Sequence, residues 1–210
     1  MTSMIGDNLF RALRVRRTVL PGFSAVEMLI VIAIFAIASV TITATYINFT
    51  HLHRRVANAE ILGEEMRFVS ELLVRTARAN TIDYPALPAE IVSPSSTLQL
   101  LTAGGGSVWI QRFATSSSVC TGLDAACLGL STDSGTNWSA ITGKYVSISA
   151  FDVYITPTAN PFEATGIGVY DNDDQPRVTF LIDATYASPS ARETASLRVQ
   201  TSVSSRLYLR

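Results

Sequence analysis

Histidine and cysteine are scarce, and each scarcity removes a class of chemistry. The 210 residues include two histidines, His51 and His53. Neither lies in residues 81–210, so a Ser-His-Asp or Cys-His catalytic arrangement is excluded there. On a helix, positions two apart point about 200° away from each other, a poor pair for a metal. The two cysteines, Cys120 and Cys127, lack the further ligands a zinc site needs. Charge is also sparse, at 16% of residues against 48% apolar. That balance does not describe a disordered chain. Proline is missing from the whole stretch between Pro21 and Pro85, and beyond Gly22 a single glycine, Gly63, interrupts it.

The apolar content is concentrated. Mean hydropathy is +0.28, and the densest run is Met28-Leu-Ile-Val-Ile-Ala-Ile-Phe-Ala-Ile-Ala38. From Ser39 the run becomes mixed, with Thr41, Thr43 and Thr45 alternating with apolar residues up to Phe49. Phe23 to Phe49 would reach roughly 40 Å as a helix, and a bilayer core needs about 20 helical residues. Arg11, Arg14, Arg16 and Arg17 precede the run, while Arg54 and Arg55 follow it. Positive charge stays on the cytoplasmic side, so the N-terminus is expected in the cytoplasm and the C-terminal body outside it. Beyond residue 22 the balance is −4, which gives no electrostatic case for broad nucleic-acid binding.

Three readings of this segment compete. Ala36-Ile37-Ala38 fits the cleavage pattern of a secretory signal peptide, but the chain remains membrane-like after it. An uncut signal anchor is the second. Neither has a use for Pro21-Gly22-Phe23 or for Glu27. The third rests on Gly22-Phe23-Ser24-Ala25-Val26-Glu27-Met28-Leu29-Ile30-Val31, preceded by a basic leader. This stretch resembles the prepilin-type cleavage and methylation segment of type IV pilins and type II secretion pseudopilins. In that family a basic leader ends in Gly, the next residue is usually Phe or Met, the fifth mature residue is Glu, and an apolar helix follows. Ser24-Ala25-Val26 departs mildly from the family's more usual Thr-Leu-Ile or Thr-Leu-Val.

The resemblance implies a cut between Gly22 and Phe23 by a prepilin peptidase, and N-methylation of Phe23. It also implies that Glu27 partners the free amine of Phe23 on a neighbouring subunit and sets axial register. A carboxylate is costly in a span, about 2.5–3.5 kcal/mol at its centre. The first helical turn favours it through the helix dipole. The alternative is a carboxylate near the headgroups with no partner. Implied partners are the peptidase, other pilin or pseudopilin subunits, an inner-membrane assembly platform, and lipid before assembly. No cofactor is implied, and the expectation is a structural subunit, not an enzyme. Size and layout loosely resemble the J-type minor pseudopilins and W-type minor pilins. The rival from another class is a signal-anchored exported binding domain that never polymerises.

Helix periodicity continues past the apolar run. Leu62, Met66, Val69 and Leu73 recur at steps of four, three and four, with Phe68 and Leu72 beside them. The expected layout is a leader at 1–22, one helix over 23–80 whose 23–49 part spans the membrane, and a β-rich domain over 81–210. Gly63 would loosen the helix by about 1 kcal/mol relative to Ala. After a connector at 83–96, period-two faces appear at Leu98/Leu100, Ser107–Phe113, Val178/Phe180/Ile182/Ala184 and Ala195/Leu197/Val199/Val203. Between Lys144 and Ile155 the face switches from Val146/Ile148/Ala150 to Phe151/Val153/Ile155, which predicts a bulge. Residues 115–143 read as a surface insertion. The fold class is therefore α+β, pilin-like: a long N-terminal helix packed on a C-terminal antiparallel sheet.

Three minor features complete the sequence. If the body leaves the cytoplasm, a Cys120–Cys127 disulfide is the expected state; two unpaired thiols are the alternative. Asp171, Asp173 and Asp174 form a calcium candidate. It lacks the EF-hand glycine, because Pro176 stands at the sixth position and Ile182 at the twelfth, so a turn is the plainer reading. The scattered arginines from Arg177 onward fit solvated strand positions better than a nucleic-acid face.

Overall fold

The computed structural model describes residues 22–86, 94–123, 125–161, 164–166, 169–170 and 174–205, with 164–166 and 169–170 described as backbone alone. Residues 1–21, nearly all of the expected leader, and the calcium candidates Asp171 and Asp173 lie outside the described residues. The chain divides into two compact units, Met1–Ile47 and Asn48–Arg210. One α-helix, α1 (Ala25–Ala79), contributes to both. It starts two residues later than the sequence suggests, because Ser24 is the cap. Ser24 Oγ accepts a hydrogen bond from the Val26 amide at 3.4 Å, and its carbonyl accepts from Met28 N at 3.1 Å. It ends at Asn80, whose Nδ2 donates back to the Thr76 carbonyl at 2.8 Å.

In the second unit, α1 lays the expected stripe on the core. Leu62, Met66, Val69, Leu73 and Ala77 are each at most 2% exposed. Four large side chains so covered contribute on the order of 8 kcal/mol of apolar burial before ordering entropy is subtracted. Phe68 is not part of that stripe and faces solvent.

Among the described residues, the β body holds two antiparallel sheets and a short hairpin. The first sheet runs in order through β1 (Thr81–Ile82), β2 (Thr97–Leu101), β3 (Ser107–Phe113), β4 (Cys127–Ser131) and β5 (Ser139–Ala140). The second places β9 (Arg177–Tyr186) between β6 (Val146–Thr156) and β10 (Ala195–Ser204). β7 (Ala164–Gly166) pairs with β8 (Val169–Tyr170). Leu98, Leu100, Ile110 and Leu128 from the first sheet meet Ile148, Phe151, Val153, Phe180 and Ile182 from the second in one core with the helix stripe. The sheets are also tied by backbone contacts. Ser95 bridges Val153, and Ile148 N donates to Ala126 O at 2.9 Å.

Three details differ from the sequence expectation. Residues 115–143 are not a surface insertion: β4 pairs with β3 over five residues, and its Leu128 is fully buried. The bulge in β6 is present, with the register shifting between Ile148 and Ala150. It displaces Ala150 from the core face, so the buried set is Val146, Ile148, Phe151, Val153 and Ile155. Last, Leu197 stays 37% exposed although Ala195 and Val203 on the same face are buried, because β10 is the edge of its sheet and no described strand lies beyond it.

Candidate functional site

The apolar half of α1 is built to meet something other than water. Phe23, Val26, Leu29, Phe35, Val40 and Ile42 are each about two-thirds or more exposed. α1 is long and apolar enough to cross a membrane, as a single span or a signal anchor. The mixed stretch after Ala38 is compatible with that role for a local reason. Thr41 Oγ1 donates to the Ala38 carbonyl, Thr43 Oγ1 to Ser39 and Thr45 Oγ1 to Thr41, each at 2.8 Å. Hydroxyls satisfied within their own helix carry no orphan donor into hydrocarbon.

Gly22 and Phe23 immediately precede the capped helix start, and both are exposed and outside regular secondary structure. Glu27 stands in the first turn of α1. Its spacing from Ser24 is that of a capping box, in which a Glu side chain would take the cap residue's own amide, a pattern that sequence reading passed over. The box is not closed: Glu27 makes no hydrogen bond or ion pair with any described residue. Its carboxylate is exposed and held beside the positive end of the helix.

A second polar cluster lies within the other unit. Glu193, in a short 3₁₀ turn at Ala191–Glu193 between β9 and β10, is 8% exposed. Its Oε1 accepts from His51 Nδ1 at 2.9 Å and from Arg54 Nη1 at 3.3 Å. Ser188 Oγ donates to Oε2 at 3.4 Å, and Asn58 Nδ2 donates to the Glu193 carbonyl at 2.9 Å. The His51 hydrogen bond, opposed by desolvation and aided by Arg54, holds the Glu193 carboxyl below the usual carboxylate range. The cluster clasps α1 to the β9–β10 connection. It also separates the two histidines, since His53 stacks on Phe49 with ring centroids 6.5 Å apart. Sequence reading had no access to this clasp, because His51 and Glu193 lie 142 residues apart.

Other polar and cysteine residues that are described make structural contacts. Cys120 and Cys127 form a disulfide that ties a short 3₁₀ turn, Ser118–Cys120, to the start of β4. Asp174 is described, and among the described residues no group of three or more His, Cys, Asp or Glu is placed to hold a metal ion. Arg198 is held by Asp183, with Nε–Oδ1 at 2.5 Å and Nη2–Oδ2 at 2.6 Å. Trp138 packs edge-on against Phe113 at 4.8 Å and donates from Nε1 to Gly135 O at 2.8 Å. Tyr84 is pushed up to about 12 by burial and donates its hydroxyl to Pro157 O. Compared with known proteins, the chain matches no family model, no curated protein and no solved structure.

Proposed function

We propose that this chain is a structural subunit, of the minor kind, of a type IV pilus or a type II secretion pseudopilus. A prepilin peptidase cuts it between Gly22 and Phe23 and methylates the new amine. The N-terminal helix rests in the membrane and then packs among other pilin-like subunits, drawn there by an inner-membrane assembly platform. The protein catalyses nothing in this scheme.

The observation that carries the reading is Glu27: a carboxylate with no partner among the described residues, in the first turn of a helix that has no other Asp, Glu, Lys or Arg before Arg54. The dipole stabilises such a charge by about 0.3–1 kcal/mol. A charge costs about 2.5–3.5 kcal/mol at the centre of a span and less toward its end, so the dipole offsets only part of the cost of drawing Glu27 in among apolar helices. A cationic partner makes up the difference, and the amine of Phe23 on a neighbouring subunit has the right charge. Cutting at Gly22 creates that amine, which explains why the apolar helix follows the cut instead of preceding it.

The test is the N-terminal mass of protein made alongside its own peptidase. A start at N-methylated Phe23 is expected; a start at Ser39, or an uncut Met1, overturns the proposal. Glu27→Val is then expected to be cleaved normally but to enter filaments poorly. Normal assembly of that variant removes the register role.

A further inference from the structure

Among the described residues, β10 is an edge strand of the second sheet. Its ten residues pair with β9 in unbroken register, and no described strand lies on its other side. The opposite edge strand, β6, carries a bulge and is tied to the first sheet through Ser95 and Ala126. Edge strands are ordinarily guarded by lysine, proline, a bulge or an inward-pointing charge. β10 has none of these. Its one charged residue, Arg198, is occupied by Asp183.

Beside this edge lies a groove of about 520 Å³ between β10 and the second half of α1. Ser70, Val74, Arg75 and Arg78 line the helix side, and Thr201 lines the strand side. Thr201 shares its face of β10 with the buried Val203. A strand laid next to β10 would therefore send alternate side chains into the groove, onto the half-buried Val74. The rim is positive. Arg75 and Arg78 are exposed and make no ion pair with any described residue, whereas Glu71 is taken by Arg67 at 3.1 Å.

We propose that this groove binds an extended, acidic segment of another protein, which adds to β10 as a fourth strand of the sheet. Main-chain hydrogen bonds from β10 supply affinity. Val74 accepts a small apolar side chain, and Arg75 and Arg78 select a carboxylate. A second copy of this chain is the wrong occupant by charge, since Ala195–Ser204, its own free edge, contains no Asp or Glu. The inference rests on the unit 48–210 and does not depend on filament assembly.

The full chain in detergent micelles is titrated with two synthetic decapeptides of alternating threonine and valine. One ends in two aspartates, the other in two lysines. Binding is read by fluorescence anisotropy, and the edge by amide hydrogen exchange along β10. The acidic peptide is expected to bind about tenfold more tightly and to slow exchange in β10. In Arg75→Glu/Arg78→Glu, whose altered residues are exposed and leave the core alone, the preference should reverse. Equal binding of the two peptides, or unchanged exchange in β10, overturns the proposal. So does a dimer in sedimentation that the acidic peptide dissolves, because the edge would then belong to a second copy.

Discussion

Three carboxylates illustrate how surroundings assign different tasks to one functional group. Glu27 has no partner among the described residues, Glu193 is nearly covered and clasped, and Asp133 organises a turn. Asp133 accepts from Asn137 N at 2.8 Å, from Ser131 Oγ at 2.7 Å and from Asn137 Nδ2 at 2.5 Å. These bonds, the Asn137 amide first, lower its pKa from 3.8 to about 2. A depressed folded-state pKa contributes stability that is present above the unfolded value and lost as pH falls through the folded one. Thermal unfolding should therefore show a drop in midpoint as pH falls from about 4 to about 2. Asp133→Asn should be less stable at neutral pH and flatter across that window. The flattening will be partial, since Asp183 and Glu193 are also lowered. Glu193→Ala should lower the midpoint more than His51→Ala does. Removing the carboxylate strands His51, Arg54 and Ser188 together, whereas removing the imidazole leaves two partners in place. Equal midpoints for Glu193→Ala and the unaltered chain would show that the clasp holds nothing.

Elements were legible in the sequence where one residue period sufficed to define a face. The steps of four, three and four from Leu62 to Leu73 leave a helix only one way to cover them, and all four are buried. The face switch in β6 likewise forced a bulge, although it could not say that Ala150 would be the residue displaced. β4 was illegible because Cys127-Leu-Gly-Leu-Ser131 sits in a Ser/Thr/Gly-rich stretch and becomes a strand through its pairing with β3. Gly129 shows what that pairing requires. A Cβ there would fall 2.6 Å from Phe113 Cε2 and 3.1 Å from Trp138 Cε3, inside the edge-on aromatic pair. Gly129→Ala should cost about 1–3 kcal/mol in urea unfolding, through overpacking. Gly63 is the opposite case: a Cβ there meets nothing within 4 Å. Gly63→Ala should stabilise the helix by about 0.5–1 kcal/mol. Were it instead to impair filament entry while raising stability, a neighbouring helix would approach α1 at that position. The loop between Cys120 and Cys127 is short, so the chain-entropy model puts the bridge at about 2.5 kcal/mol. Replacing both cysteines with alanine should lower stability by roughly that amount, and reductant should do the same to the unaltered chain.

At the scale of the whole molecule, the two units answer to different solvents. The second has its own core, built from both sheets and the stripe from Leu62 to Ala77, and no described residue before Asn48 belongs to that core. Apolar residues of the first unit, from Phe23 through Ile47, are exposed along the helix. A contiguous apolar surface of that extent requires lipid or protein around it. The glutamate clasp and the disulfide both lie within residues 48–210, so a chain beginning at Asn48 retains every tertiary tie described for the body. That fragment should be monomeric and soluble without detergent. It should show the same β-rich circular dichroism as the body of the full chain, with unchanged amide protection in β3, β4 and β9. The full chain should stay dispersed only in micelles or bilayers. Loss of protection in β9 upon truncation would mean that the first unit supports the fold. Its retention means that the apolar helix is free to make contacts outside the molecule, as the proposed assembly through that helix requires.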